Sequence, residues 1–108
     1  MDRIAITHVP EQQRVDVTVD GEAFTSYIHP DSIHKPALFP LRTARGTIVT
    51  RGFPLEPRPG ERVDHLHHVG FWFDYGDVNG VAFWGSTPAV PPAERGRYGI
   101  IRHRGVNR

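Results

Sequence analysis

Arg14-Val15-Asp16-Val17-Thr18-Val19-Asp20-Gly21-Glu22-Ala23-Phe24-Thr25-Ser26-Tyr27-Ile28 is the stretch that decides the fold class. Val15, Val17 and Val19 alternate strictly with Arg14, Asp16 and Thr18. Successive side chains of a strand point to opposite faces, so this alternation describes a strand with one face toward a core. Asp20-Gly21 supplies the positive-φ pair favoured in a two-residue hairpin turn. Residues 22–28 then form the return strand, with Phe24 and Ile28 as its apolar positions. Upstream, Ile4, Ile6 and His8 repeat the same period and predict a preceding strand. Downstream, short strands are expected over 37–42, 47–50, 69–73, 81–84 and 97–102.

Two segments read as loops. Residues 53–64 carry Pro54, Pro57, Pro59 and Gly60 in a charged context, and residues 86–96 carry Pro88, Pro91 and Pro92. Proline lacks an N–H and interrupts both ladders and helices. No window sustains a 3.6-residue apolar period, and no repeat is present. Short strands with frequent turn signals predict an all-β, antiparallel sandwich.

The chain has 108 residues, room for one small domain, and its 38% hydrophobic content is low for a self-contained core. Thirteen basic against twelve acidic residues leave a formal net charge of +1. That balance, with arginines scattered rather than clustered, argues against a nucleic-acid partner held by phosphate neutralisation. The absence of cysteine excludes disulfides, thiolate catalysis and cysteine-based zinc sites. The N-terminus has no apolar signal core and no window is long enough to span a bilayer, so no membrane partner is expected and a cytoplasmic location is the default.

Chemistry concentrates in Asp64-His65-Leu66-His67-His68-Val69-Gly70-Phe71-Trp72-Phe73, which holds three of the seven histidines. Imidazole exchanges protons near neutral pH, and its neutral form ligates metals. On extended backbone, His65 and His67 would share one face and His68 would take the other. A His-x-His pair on a strand suits a cupin-type metal site, but the glutamate such a site needs is replaced by Phe71-Trp72-Phe73. Asp74 is a poor substitute, and a divalent metal would require His65, His67 and a distant His103. The competing structural account is that the histidines satisfy backbone groups and pack a loop.

Asn79-Gly80 is a strong turn signal and marks a hairpin tip. In a functional reading, Asp77 and Asn79 hydrogen-bond ligand hydroxyls while Trp72 or Trp84 stacks on the apolar face of a sugar. Each tryptophan alone is more often a core residue than a platform. Lys35, the single lysine, can meet an oxyanion or carboxylate, or be an ordinary surface residue.

Taken together, Lys35-Pro36 with Phe39-Pro40-Leu41-Arg42-Thr43, Gly46, Val49-Thr50, Asp64-His65-x-His67-His68-x-Gly70 and Gly76-Asp77-Val78-Asn79-Gly80-x-x-Phe83-Trp84 resemble the PmoA-like family in order and spacing. The likeness covers roughly residues 24–104, including Gly99-Ile100-Ile101-Arg102-His103. It implies a sandwich related to galactose-mutarotase-like folds and a carbohydrate-related role without a known reaction. Family members are longer, so the chain, 1–108, reads as a single all-β domain or the N-terminal part of a larger sandwich. In that case Phe71, Trp72, Phe73, Phe83 and Trp84 need cover, from a partner chain or self-association. Val69 departs from the basic residue common after the paired histidines in the family.

The leading expectation is acid/base chemistry on a sugar, with His67 and His68 transferring protons and Lys35 stabilising negative charge. Asp64 and His65 orient the ligand or a neighbouring imidazole, Asp77, Asn79 and Trp84 bind it, and no cofactor is required. The alternatives are a non-catalytic sugar-binding module, a metal-dependent cupin-like enzyme, and an inactive truncated product.

Overall fold

The computed structural model describes residues 3–107. Strand β1 (Ile4–Val9) leads through a single 3₁₀ turn at Pro10–Gln12 into β2 (Arg14–Val19), and β3 (Glu22–Ile28) returns beside it. These three are the strands that the alternation predicts. The β2–β3 turn is made by Asp20 at φ 52° and Gly21 at φ 81°, the conformation expected of an Asp-Gly hairpin. Shorter strands β4 (Ala37–Leu38) and β5 (Phe71–Trp72) complete an antiparallel five-stranded sheet of order β1-β2-β3-β4-β5. A separate hairpin pairs β6 (Asp77–Val78) with β7 (Val81–Ala82) across Asn79-Gly80, whose φ values are 54° and 84°. The fold is all-β and antiparallel, and no helix among the described residues is long and apolar enough to cross a membrane.

The register explains the two faces. Ile4, Ile6 and His8 lie opposite Val19, Val17 and Val15, and Val15 lies opposite Tyr27. Directly paired residues share a face, so these positions form the apolar side, continued by Leu38 and Phe71. On the other side the Asp16 carboxylate accepts from Arg14 Nε at 2.9 Å and Ser26 Oγ at 2.6 Å. Those two bonds hold its pKa below the ordinary carboxylate value. A register shift at Val17/Thr18 leaves Phe24 as the extra residue of a β-bulge.

Beyond the hairpin the predicted strands are cut short. Residues 37–42 continue beside β3 only through Phe39 N–H to Ser26 O and Arg42 N–H to Phe24 O, both 2.9 Å. Pro40 has no N–H to carry a regular ladder further. The strand expected at 47–50 is reduced to one bridge between Ile48 and Arg42, and the one at 97–102 to a bridge from Tyr98 to Ala82. Pro92–Arg97, the end of the expected loop and the first residue of the expected strand, form a 3₁₀ helix instead. Residues 53–64 are a loop as predicted, organised by Glu61, which accepts from the N–H groups of Gly52, Phe53 and Arg58.

The core is small: Val15, Ala37, Phe39 and Val69 are its buried apolar residues. Gly70 locks β5 against it. Its φ is +55°, and a Cβ there would lie 2.6 Å from the Leu38 carbonyl oxygen. Glycine is required on both counts. Gly70→Ala should therefore lower unfolding stability by at least about 2 kcal/mol, combining positive-φ strain with backbone overlap. Denaturant titration checks this, and an unchanged midpoint would refute the tight β4–β5 approach.

Candidate functional site

The histidine segment is a turn, not a strand. His65 has φ 53°, and the His68 N–H donates to the His65 carbonyl at 2.9 Å. The extended backbone on which His65 and His67 would share one face and His68 the other is therefore not formed. Irregular backbone brings all three rings together. The His67 and His68 centroids are 4.4 Å apart and nearly perpendicular, His65 stacks on His68 at 4.8 Å, and His65 lies 5.6 Å from His67. Trp84 meets His67 edge-on at 5.8 Å and His68 face-on at 6.3 Å, and Trp72 lies 6.0 Å from His68.

Arg51 shapes this turn, and sequence reasoning missed it. Its guanidinium donates to the carbonyls of Arg62, Asp64, His65 and His68 at 2.9–3.3 Å. Five N–H donors in a rigid fork suit this task, which a lysine could not reproduce. No local pattern announces it, because its partners lie eleven to seventeen residues away. The Asp64 carboxylate contacts Arg62 and the His65 Nδ1, both at 3.1 Å. Partial desolvation pushes that carboxyl up, but Arg62 and His65 outweigh it and leave the pKa below its ordinary value.

Burial pushes the pKa of both His67 and His68 down. For His67 the neighbouring His68 and Lys35 add to the effect, and for His68 the neighbours are His65 and Arg51. Desolvation and like charge both disfavour the imidazolium, so the pair is held neutral around pH 7. Each neutral ring offers one donor and one acceptor. His67 lines a recess of about 210 Å³ with Leu66, Val69 and Ser86, while His65 and His68 face an open cleft of about 410 Å³ with Arg51 and Arg62. The rings thus sit on the ridge between two depressions.

Lys35 lies beneath, only 3% exposed. Its Nζ donates to the carbonyls of Trp84 at 2.6 Å, Phe83 at 3.2 Å and Ser86 at 3.4 Å. The Asp74 carboxylate is its counter-ion at 3.6 Å, and the ammonium sits 4.6 Å from the Trp72 ring centroid. All three ammonium protons are therefore directed at backbone oxygens. Beside it His34 Nδ1 contacts the buried Ser86 Oγ at 2.9 Å. Consecutive residues His34 and Lys35 clamp the segment that presents Trp84.

Asp77 and Asn79 stand apart. Asp77 Oδ1 accepts from the Gly80 N–H at 2.8 Å and Asn79 occupies the turn, so both shape the β6–β7 tip. Among the described residues, no hydrogen bond or ion pair joins them to the imidazoles. His103 belongs to a second cluster, stacked on His29 at 4.0 Å with its Nδ1 3.3 Å from the Tyr27 hydroxyl. The metal set His65–His67–His103 is thus not assembled, and no group of three or more histidines and carboxylates among the described residues has metal-holding geometry.

Two outcomes follow from this arrangement. Lys35→Met should cost about 3 kcal/mol or more, because it strands Asp74 and three carbonyls without their buried cation. Chemical denaturation measures this, and a near-neutral effect would show the clamp to be dispensable. Stability should also depend on pH through His67 and His68. Their folded pKa values lie below the unfolded value near about 6.5, so their contribution is complete above that pH and is lost as pH falls through the folded values. Replacing both with Gln should flatten the decline of unfolding free energy between about pH 7 and pH 5. An unaltered slope would mean that neither ring is desolvated.

Comparison with known proteins adds one relationship. No curated protein and no solved structure matches the chain. A family model described as a family of unknown function, DUF6807, matches residues 14–108, from the start of β2 through the histidine turn and the Lys35 clamp. The chain belongs to the DUF6807 family.

Proposed function

We propose that the chain is a carbohydrate-related protein of the PmoA-like type whose histidine turn carries out acid/base chemistry on a sugar. The observation that carries the reading is the convergence of His65, His67 and His68, with ring centroids 4.4–5.6 Å apart, beside a Trp84 that meets His67 and His68 and remains 53% exposed. An exposed indole beside polar rings is a platform for the apolar face of a saccharide, and neutral imidazoles near pH 7 are competent bases.

In this reading one ring of the His67–His68 pair takes the proton of the anomeric hydroxyl. The other, neutral at the outset, relays that proton through its own ring to the sugar ring oxygen. The bond between the anomeric carbon and the ring oxygen breaks as the carbonyl forms, and reversal after rotation yields the other anomer. Asp64, through its contact with His65, orients the neighbouring imidazole. Lys35 contributes a fixed positive field from below, with its donors engaged by the backbone. Asp77 and Asn79 bind outlying hydroxyls from the adjacent hairpin.

A second reading, a sugar-binding module without catalysis, is favoured by the same exposed Trp84. Amide NMR of the chain with added aldoses, read together with anomer exchange in the sugar signals, separates the two. Under the acid/base reading, exchanging His67 and His68 together for Gln lowers anomer exchange by about 100-fold or more while binding persists. Trp84→Ala removes binding under both readings. Full exchange in the double Gln variant sinks the catalytic proposal, and no shift at the histidine turn with any sugar sinks both.

A further inference from the structure

The surface of this chain is large for its mass. It exposes 7858 Å², whereas a compact monomer of 12.2 kDa exposes roughly 6,000 Å². The surplus exceeds the roughly 800 Å² that each partner buries in a standard interface. Part of it lies along β1, whose residues Ile4 to His8 are all exposed, Ile4 at 59% and Ile6 at 61%.

β1 is also an unprotected edge. Proteins guard edge strands with charges, prolines, bulges or very short length. The other edge, β5, has two residues. β1 has six, contains no charged residue or proline, and runs in unbroken register with β2. Its free groups can be identified. The Arg3 carbonyl accepts from the Asp20 N–H at 2.7 Å. Backbone groups alternate sides along an antiparallel ladder, so odd-numbered residues turn inward to β2. The N–H and C=O of Ile4, Ile6 and His8 turn outward, and no described residue bonds them.

We infer that β1 pairs antiparallel with β1 of a second copy of this chain, about a two-fold axis through Ile6. That register sets Ile6 opposite Ile6 and Ile4 opposite His8, joining outward groups to outward groups. It also keeps both apolar faces on the same side of one continuous ten-stranded sheet. An isologous contact requires a self-complementary patch, and a charge-free strand with this spacing is one. β1 and β5 are opposite edges of the sheet and the histidine turn leads into β5, so the pairing leaves that turn untouched.

Light scattering coupled to size exclusion, on the full 108-residue chain over a range of concentrations, tests the inference. The expected mass is twice the 12.2 kDa of one chain. Ile6→Pro removes an outward N–H that β2 does not use, so it should give single-chain mass with amide dispersion retained. Ile6→Lys leaves the backbone intact, places two like charges at the axis and should give the same result if the proline variant fails to fold. A single-chain mass for the unaltered protein at its highest soluble concentration overturns the inference. So does a dimer that survives Ile6→Lys.

Discussion

The ammonium of Lys35 ties together parts of the chain that lie far apart in sequence. It reaches from the segment before β4 to three carbonyls between Phe83 and Ser86, with Asp74 as counter-ion and Trp72 beneath its charge. A cation removed from water is tolerated only when its donors are satisfied and its charge is balanced. The carbonyls take up the donors and Asp74 supplies the opposite charge, although burial still pushes the ammonium pKa down. The segment bearing Trp84 is thereby tied to the segment before β4. The four apolar residues buried among the described ones could not supply that order by themselves.

The candidate site inherits its geometry from two such polar clamps. Lys35 with His34 fixes the tryptophan side, and Arg51 fixes the histidine side by gathering four carbonyls of the turn. Between them His67 and His68 are crowded and partly desolvated, which keeps them neutral. Cationic clamps that spend their donors on backbone leave the imidazoles as the groups able to move protons. Their positive fields, those of Lys35 on His67 and of Arg51 on His68, lower the pKa of the rings that they position.

The distribution of apolar surface sets the site in context. Phe73 is 85% exposed, and Ile4 and Ile6 are open at the opposite edge. The alternating pattern of β1 and β2 is that of strands whose apolar side is meant to be covered, yet that cover is thin beyond Val15. Apolar area of this extent is the usual mark of surfaces that associate.

Much of the fold could be read from residues because a hairpin is a local object. The valine alternation and Asp20-Gly21 specify β2, β3 and their turn through contacts between near neighbours, and Asn79-Gly80 does the same for the second hairpin. The histidine motif was equally visible, though not the irregular backbone on which its rings meet. Sequence by itself therefore determined the all-β class, the boundaries of the first hairpin, the tip of the second and where titratable groups concentrate. Tertiary structure alone decided that His65, His67 and His68 converge while His103 joins His29, that Arg51 builds the turn, and that Lys35 is a buried clamp. Those outcomes depend on which carbonyls, charges and rings a side chain meets across separations of up to 76 residues. Side-chain periodicity carries no information about such meetings, because it records only the faces of a strand and not what lies opposite them.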